Sequence, residues 1–235
     1  MTHPLGEAFA HPGLARAHVL NTLHVDAEVD ADQLVAALDD LYGGYGHRRA
    51  YVERADTGAR LAPELRRRGW HVERNVIMAR RRPRDREPEP GLARETDRAT
   101  HRLVDAATVR EEPSGQDEDV VRELVEMRRL LAAAVPIARW FVGGAGDVDA
   151  AVTTLYSDGA VAQLEDVVTL RAHRGRGLAR ATLSLALDAT AEIGAALVFL
   201  VADADDWPKD LYGRLGFDAV GSAWGFTRIA VPAAG

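Results

Sequence analysis

A β-branched run breaks into a basic loop and then a long apolar stretch: Val167-Val168-Thr169-Leu170-Arg171-Ala172-His173-Arg174-Gly175-Arg176-Gly177-Leu178-Ala179-Arg180. A strand that ends in Arg-Gly-Arg-Gly and opens a helix leaves the N–H groups of the loop and first helical turn without partners. The helix dipole adds about half a positive charge at that end. Gly175 and Gly177 have no Cβ to hold a ligand off the backbone, while Arg174 and Arg176 supply charge and forked donors. The pattern predicts a site for a pyrophosphate. Two other phosphate loops are excluded. The chain has no Gly-x-x-x-x-Gly-Lys-Ser/Thr, and Arg180 stands where the third glycine of Gly-x-Gly-x-x-Gly would be.

Further on, after the apolar run Ala195 to Val201, comes Asp205-Asp206-Trp207-Pro208-Lys209-Asp210-Leu211-Tyr212-Gly213-Arg214-Leu215-Gly216-Phe217. Arg174 to Ala179 fits Gln/Arg-x-x-Gly-x-Gly/Ala, and Leu211 to Phe217 looks like Leu-Tyr-x-x-x-Gly-Phe. On these two motifs, in this order, the chain resembles the GNAT superfamily of acetyl-CoA-dependent N-acetyltransferases. The resemblance implies an α/β (α+β) fold with a mixed, twisted central sheet flanked by helices. It also implies acetyl-CoA as cosubstrate and an amine of a small molecule or peptide as acceptor. By the same resemblance the coenzyme wedges between two splayed strands. The loop residues Arg174 to Arg180 hold its pyrophosphate, and Val167-Val168-Thr169 pairs with its pantetheine arm. Tyr212 aligns with the family's acid for the departing thiolate. A phenol with a reference pKa near 10 is protonated at neutral pH and suits that role. Asp205 stands where the family commonly has asparagine, and it either contacts the pantetheine arm or caps the helix that Pro208 begins.

The base is less determined. Glu165 shares strand parity with Val167 and Thr169, whereas Asp166 points the other way. The family often has a glutamate two residues earlier, but Gln163 stands there, so a relay through water to Glu165 is expected. A surface salt bridge is the alternative role for Glu165.

The chain has 235 residues, is 47% hydrophobic and carries a formal net charge of −7. That balance suits a packed core, disfavours general nucleic-acid affinity and fits a cationic amine. With no cysteine there is neither a thiolate zinc site nor an acyl-cysteine intermediate, so acyl transfer would be direct. The histidines show no pair at metal-ligand helical spacing, and no metal is expected. No apolar run reaches the length of a membrane span, and the start lacks a signal peptide's basic and apolar regions. The expectation is a cytoplasmic protein with no membrane partner. Arg66-Arg67-Arg68 and Arg80 to Arg86 form a basic belt. It reads as a solvated helix face and linker, with an RNA-associated acyltransferase as the alternative. A noncatalytic coenzyme A-binding regulatory module is the other alternative.

The elements that must position these residues follow from periodicity. Asp117 to Trp140 reads as helix, broken at Pro136. Ala150 to Tyr156 and Val161 to Leu170 read as a hairpin about Ser157-Asp158-Gly159. Gly177 to Ile193 reads as a helix ending at Gly194. The charged, proline-rich Pro83 to Gly91 divides a first domain, 1–82, from a catalytic domain, 92–235. Displacing the chain by 147 residues sets Tyr51–Trp70 on Val198–Phe217, with Asp56 on Asp203, Arg67 on Arg214, Gly69 on Gly216 and Trp70 on Phe217; Arg81 then falls on Arg228. The first domain thus reads as a degenerate half-unit of the same kind, with Leu65 in place of Tyr212 and no phosphate loop. It would dock on the second domain, or on a second copy in a homodimer, and shape the acceptor cleft. Acceptor selectivity falls to 140–149 and 218–225.

Overall fold

The computed structural model describes residues 1–112, 115, 117–146 and 148–229. In chain order its elements are β1 (Thr2–His3), β2 (Gly6–Phe9), β3 (Thr22–Val25), α1 (Ala31–Tyr42), β4 (His47–Val52), α2 (Ala55–Arg67) and β5 (His71–Arg80). They continue with β6 (Ala93–Thr96), α3 (Arg98–Arg110), α4 (Glu118–Ala134), β7 (Ile137–Ala145), β8 (Val148–Ser157) and β9 (Val161–Thr169). The last are α5 (Leu178–Ile193), β10 (Leu197–Asp203), α6 (Pro208–Arg214) and β11 (Phe217–Ile229). Two compact units result. One gathers Met1–Ile77, Ala202–Asp206 and the chain from Ala219 onward; the other gathers Met78–Val201 and Trp207–Asp218. A single cut at 83–91 does not produce this division, because the end of the chain groups with its beginning. Residues 230–235, the tail of the expected second domain, lie outside the described residues, as does Asp147.

In the first unit the strand order is β1-β2-β3-β4-β11-β5. β11 runs antiparallel to β4, from Trp224 opposite Val52 to Ile229 opposite His47. α1 is closed by a capping box, in which Asp30 accepts from the Gln33 N–H and the Gln33 side chain accepts from the Asp30 N–H. It turns Leu34, Leu38 and Tyr42 onto a core shared with Leu23, Val52, Leu65 and Phe226.

In the second unit the order is β10-β9-β8-β7-β6. β9 follows β8 through a turn in which Gly159 takes φ 99° and the Asp158 carboxylate accepts from the Ala160 and Val161 N–H groups. Helices cover both faces of this sheet. Thr153 Oγ1 donates to Thr182 of α5 at 2.8 Å, whereas its neighbour Thr154 meets His101 of α3 at 3.2 Å; alternation along a strand sends them to opposite faces. α4 stops at Ala134, short of the expected end, and Trp140 lies in β7: Pro136 cannot continue a helix, and the β-branched and aromatic residues after it pair instead.

Residues 83–91 form neither helix nor strand, as expected of a linker, yet they are tied to the second unit. Arg84 reaches Asp188 of α5 at 3.0 Å, Asp85 reaches Arg180 at 2.6 Å, and the Asp85 N–H donates to the Arg214 carbonyl.

The sequence repeat has a structural counterpart in β4-α2-β5 and β10-α6-β11. Both helices end in the same cap. The N–H of Arg68 bonds the carbonyls of Glu64 and Leu65, and that of Leu215 bonds those of Leu211 and Tyr212. Gly69 and Gly216 follow with donations to Arg66 and Gly213. Each glycine is left-handed, at φ 78° and 95°, and each precedes a buried aromatic, Trp70 or Phe217. The helices differ at their starts, since α2 begins well before the position equivalent to Pro208.

Candidate active site

β9 and β10 are parallel neighbours, but their register covers only Val161 to Gln163 against Leu197 to Phe199. The remainder of β9 leaves that edge. A break in the β8 ladder lies just beyond. Thr154 faces Glu165 and Val152 faces Val168, so Asp166 and Val167 together oppose Thr153. This is a β-bulge, and Asp166 is its left-handed residue at φ 53°, the one described non-glycine residue with positive φ.

The bulge corrects the parity argument. Thr154 and Val152 share a face, so Glu165 lies on the face of Val168, toward α3 and α4. Thr169, opposite Ala151, lies on the face toward α5. Glu165 therefore does not project with Thr169, and Asp166 does not point away from the acidic site. The Asp166 carboxylate accepts from Thr154 Oγ1 at 3.1 Å and from Arg128 Nε at 2.7 Å. Arg128 also donates to Asp105 at 2.6 Å.

Glu165 is half-buried and accepts from the Gln163 side-chain amide. Burial pushes its carboxyl up to about 7, and the neighbouring Asp166 charge acts in the same direction; the Gln163 amide and Arg128 oppose them. Burial likewise raises Asp105 to about 6 and lowers His101 to about 4. The phenol of Tyr156, whose residue pairs with Gln163, is held protonated well above its ordinary range, again by burial first. Two carboxyls drawn toward neutrality, Glu165 and Asp105, beside an arginine are an arrangement suited to proton transfer.

Past Thr169 the chain makes a short 3-10 turn, Arg171–His173, and then the glycine loop. Gly175 and Gly177 take φ 76° and 79°. A Cβ on Gly175 would meet nothing within 4 Å, so the loop presents open space on that side. Gly177 is the N-cap of α5 and no side chain caps it, which leaves the first-turn N–H groups at Leu178, Ala179 and Arg180 for a ligand. The buried Thr169 Oγ1 and His173 Nδ1 lack hydrogen-bond partners. Arg174 and Arg176 are exposed, each with one loop-carbonyl bond, to Thr169 and Ala172 respectively. With Arg86, Glu87, Glu89 and Leu92, the loop lines a cavity of about 510 Å³. The donor set, the open glycine face and the orphaned polar atoms fit a pyrophosphate with its pantetheine arm.

Arg180 is different from its neighbours. Its guanidinium is 7% exposed and paired with Asp85, so its side chain ties down the 83–91 segment, and what it offers at the loop is a backbone N–H. Asp205 sits exposed in a turn, its N–H on the Asp203 carboxylate. It does not cap α6, whose N-cap is Trp207. Tyr212 is 7% exposed on α6, its ring 6.4 Å from Phe217 in an edge-to-face contact.

Sequence reasoning singled out the loop, Glu165 and Tyr212, set Asp166 aside as pointing the other way, and did not reach Arg128, Asp105, His101 or Thr154. An aspartate beside the candidate base was the one available sign, since aspartate tolerates the left-handed region. Among the described residues no group of three or more His, Cys, Asp or Glu could hold a metal ion, and no helix is long and apolar enough to cross a membrane.

Residues 111–217 match the Acetyltransferase (GNAT) family. No curated protein sequence matches the chain. Among solved structures, a functionally unknown conserved protein from Staphylococcus epidermidis is similar with TM-score 0.68 at 12% identity, covering 95% of this chain and 90% of that one. A GCN5-related N-acetyltransferase from Kribbella flavida is similar with TM-score 0.59 at 20% identity, covering 92% and 84%. A tandem GNAT protein from the clavulanic acid biosynthesis pathway is similar with TM-score 0.51 at 18% identity, covering 86% and 70%. At these identities the likeness is one of fold.

Proposed function

We propose that this chain, whose residues 111–217 match the Acetyltransferase (GNAT) family, is an acetyl-CoA-dependent N-acetyltransferase that joins the acetyl group directly to an amine of a small molecule or peptide. The observation that carries the reading is the succession along β9: pairing with β10 ends at Gln163, the bulge follows, and the uncapped N-terminus of α5 lies beyond the glycine loop.

Bound acetyl-CoA supplies the acyl thioester and the pyrophosphate by which it is gripped. The chain does the rest. Arg174, Arg176 and the N–H groups from Gly175 to Arg180 take the pyrophosphate, and Val167 to Thr169 offer backbone to the pantetheine arm. Glu165, directly or through one water, takes the proton of the attacking amine nitrogen. A carboxylate with affinity near 7 removes that proton at neutral pH more effectively than an ordinary glutamate would. As the N–C bond forms and the C–S bond breaks, a β9 N–H stabilises the charge on the carbonyl oxygen, and the Tyr212 hydroxyl gives its proton to the sulfur. Holding both reactants supplies much of the acceleration.

The Glu165 environment supports the enzyme over a noncatalytic coenzyme-binding module, which would need no proton acceptor. The basic belt supports neither RNA nor an acidic partner: Arg67 and Arg68 pair with Glu64, Arg68 also with Asp32, Arg82 with Asp218, and Arg84 with Asp188. We take the first unit as a degenerate half-repeat that binds no coenzyme. The shared helix cap supports this, and so does a tandem GNAT protein among the similar folds.

The test is calorimetric titration with acetyl-CoA, followed by thiol-release assays over a panel of primary amines and peptide amines. Saturable binding and amine-dependent thiol release are expected. Binding without release for any amine would leave the regulatory module standing, and no binding would overturn the reading.

A further inference from the structure

Asp166 is the least expected residue of the site. A bulge can place a glycine in the left-handed region without steric cost, yet this chain has an aspartate there, with its carboxylate fastened from two sides. Arg128 on α4 donates to one oxygen, and Thr154 on β8 donates to the other. Arg128 is itself fixed by Asp105 of α3, whose side chain is 3% exposed, and His101 of α3 meets Thr154. Three elements packed against the bulge thus converge on one side chain.

We infer that Asp166 is the positioning residue of this site: its carboxylate, anchored by Arg128 and Thr154, holds the backbone turn that swings β9 away from β10 and stands beside Glu165. The inference rests on the proposed acetyltransferase reading and deepens it. The charged and polar groups on this side of β9 are Asp166 and Gln163 on the strand itself, Tyr156 and Thr154 on β8, Arg98, His101, Arg102 and Asp105 on α3, and Arg128 and Arg129 on α4. Arg128 is shared between the Asp105 and Asp166 carboxylates, and Asp166 is the one that adjoins Glu165 on β9. Glycine there would permit the turn but leave it loose and uncharged; alanine would oppose it.

Four single variants separate these roles. Asp166→Asn keeps a residue that tolerates the left-handed region and an oxygen for Arg128, but removes the charge. Asp166→Gly keeps the turn alone, Asp166→Ala keeps neither, and Glu165→Gln identifies the Glu165 signal. The Glu165 carboxyl is followed by carbon-13 NMR titration, and acetyl-CoA affinity by calorimetry. In Asp166→Asn the midpoint should move down by about half to one pH unit, with acetyl-CoA affinity within about twofold of the parent. Asp166→Ala should bind acetyl-CoA about tenfold more weakly, and Asp166→Gly should recover most of that loss. An unmoved Glu165 midpoint in Asp166→Asn, or equal acetyl-CoA affinity in the alanine and glycine variants, overturns the inference. Failure of the acetyltransferase reading itself would show separately, as absence of acetyl-CoA binding in the parent.

Discussion

The segments β4-α2-β5 and β10-α6-β11 share a helix cap, a left-handed glycine and a buried aromatic, yet only one carries residues with a proposed chemical role. At the position where α6 carries Tyr212, α2 carries Leu65, fully buried in its unit's core. The second segment is preceded by the glycine loop and α5; the first is preceded by α1, whose N-terminus is closed by Asp30 and Gln33. The difference teaches where function enters a repeated unit. The cap and glycine are demanded by the backbone and persist in both, whereas an open helix N-terminus and a hydroxyl are needed only where a ligand is held.

The largest expected effect breaks the comparison at the loop. Gly177→Glu puts a Cβ at φ 79° and a negative charge on the uncapped helix end, and it should weaken acetyl-CoA binding by more than roughly a hundredfold. Calorimetry on the folded variant measures it. The same titration of the parent should give one coenzyme per chain, and two would contradict the degenerate reading of the first unit.

Next comes the aligned pair. Tyr212→Phe should lower turnover by about 10²–10⁴ with acetyl-CoA binding nearly unchanged. Leu65→Ala should instead cost about 2–5 kcal/mol of stability by leaving a cavity, with turnover per folded molecule retained. Thiol-release kinetics and denaturant unfolding distinguish the two, and equal activity of the Tyr212→Phe protein would make Tyr212 a packing residue.

How much of this was legible in the sequence depended on how local its cause was. The glycine loop, the hairpin at Asp158-Gly159 and the α5 end at Gly194 were read correctly, because turns and caps are decided by a few adjacent residues. The bulge was not. One extra residue inverts every later side chain, and an aspartate that tolerates the left-handed region is only a slight sign of it in Glu165-Asp166-Val167, so the parity drawn across Asp166 failed. Arg128 and Asp105 lie on helices whose contribution to the site is set by packing, and Arg180 read as a phosphate ligand because Asp85, its partner, lay in what looked like a free linker.

A smaller effect sharpens the comparison at the two cap glycines. A Cβ on Gly69 meets nothing within 4 Å, but one on Gly216 would lie 1.9 Å from the Arg82 carbonyl oxygen. Gly69→Ala should therefore cost about 1–2 kcal/mol for its left-handed backbone alone. Gly216→Ala should cost about 1–3 kcal/mol more, because the 82–83 backbone must move. Denaturant midpoints of the two variants give the difference directly.

The smallest effect is in pH. Glu165 loses its proton at about 7 instead of the ordinary 4.5, so acetyl transfer should rise with pH through about 7 and then level. Stability runs the other way. The folded state binds this proton more tightly than the unfolded chain does, so the Glu165 contribution is full below about 4.5 and is lost as pH rises toward 7. Glu165→Gln should remove the rise in rate and flatten that part of the stability curve, as read by rate profiles and by unfolding across pH.

The pairing of β11 with β4 also imposes an order of events in synthesis. Trp224 to Ile229 lies opposite Val52 to His47, and Phe226 is wholly buried among residues from the first part of the chain. The N-terminal unit therefore cannot close until nearly the whole polypeptide has emerged from the ribosome. Until then β4 presents a bare edge, which is the kind of surface that chaperones guard and that neighbouring nascent chains can zip onto. A nonsense codon anywhere before Trp224 would consequently unmake the part of the protein translated first.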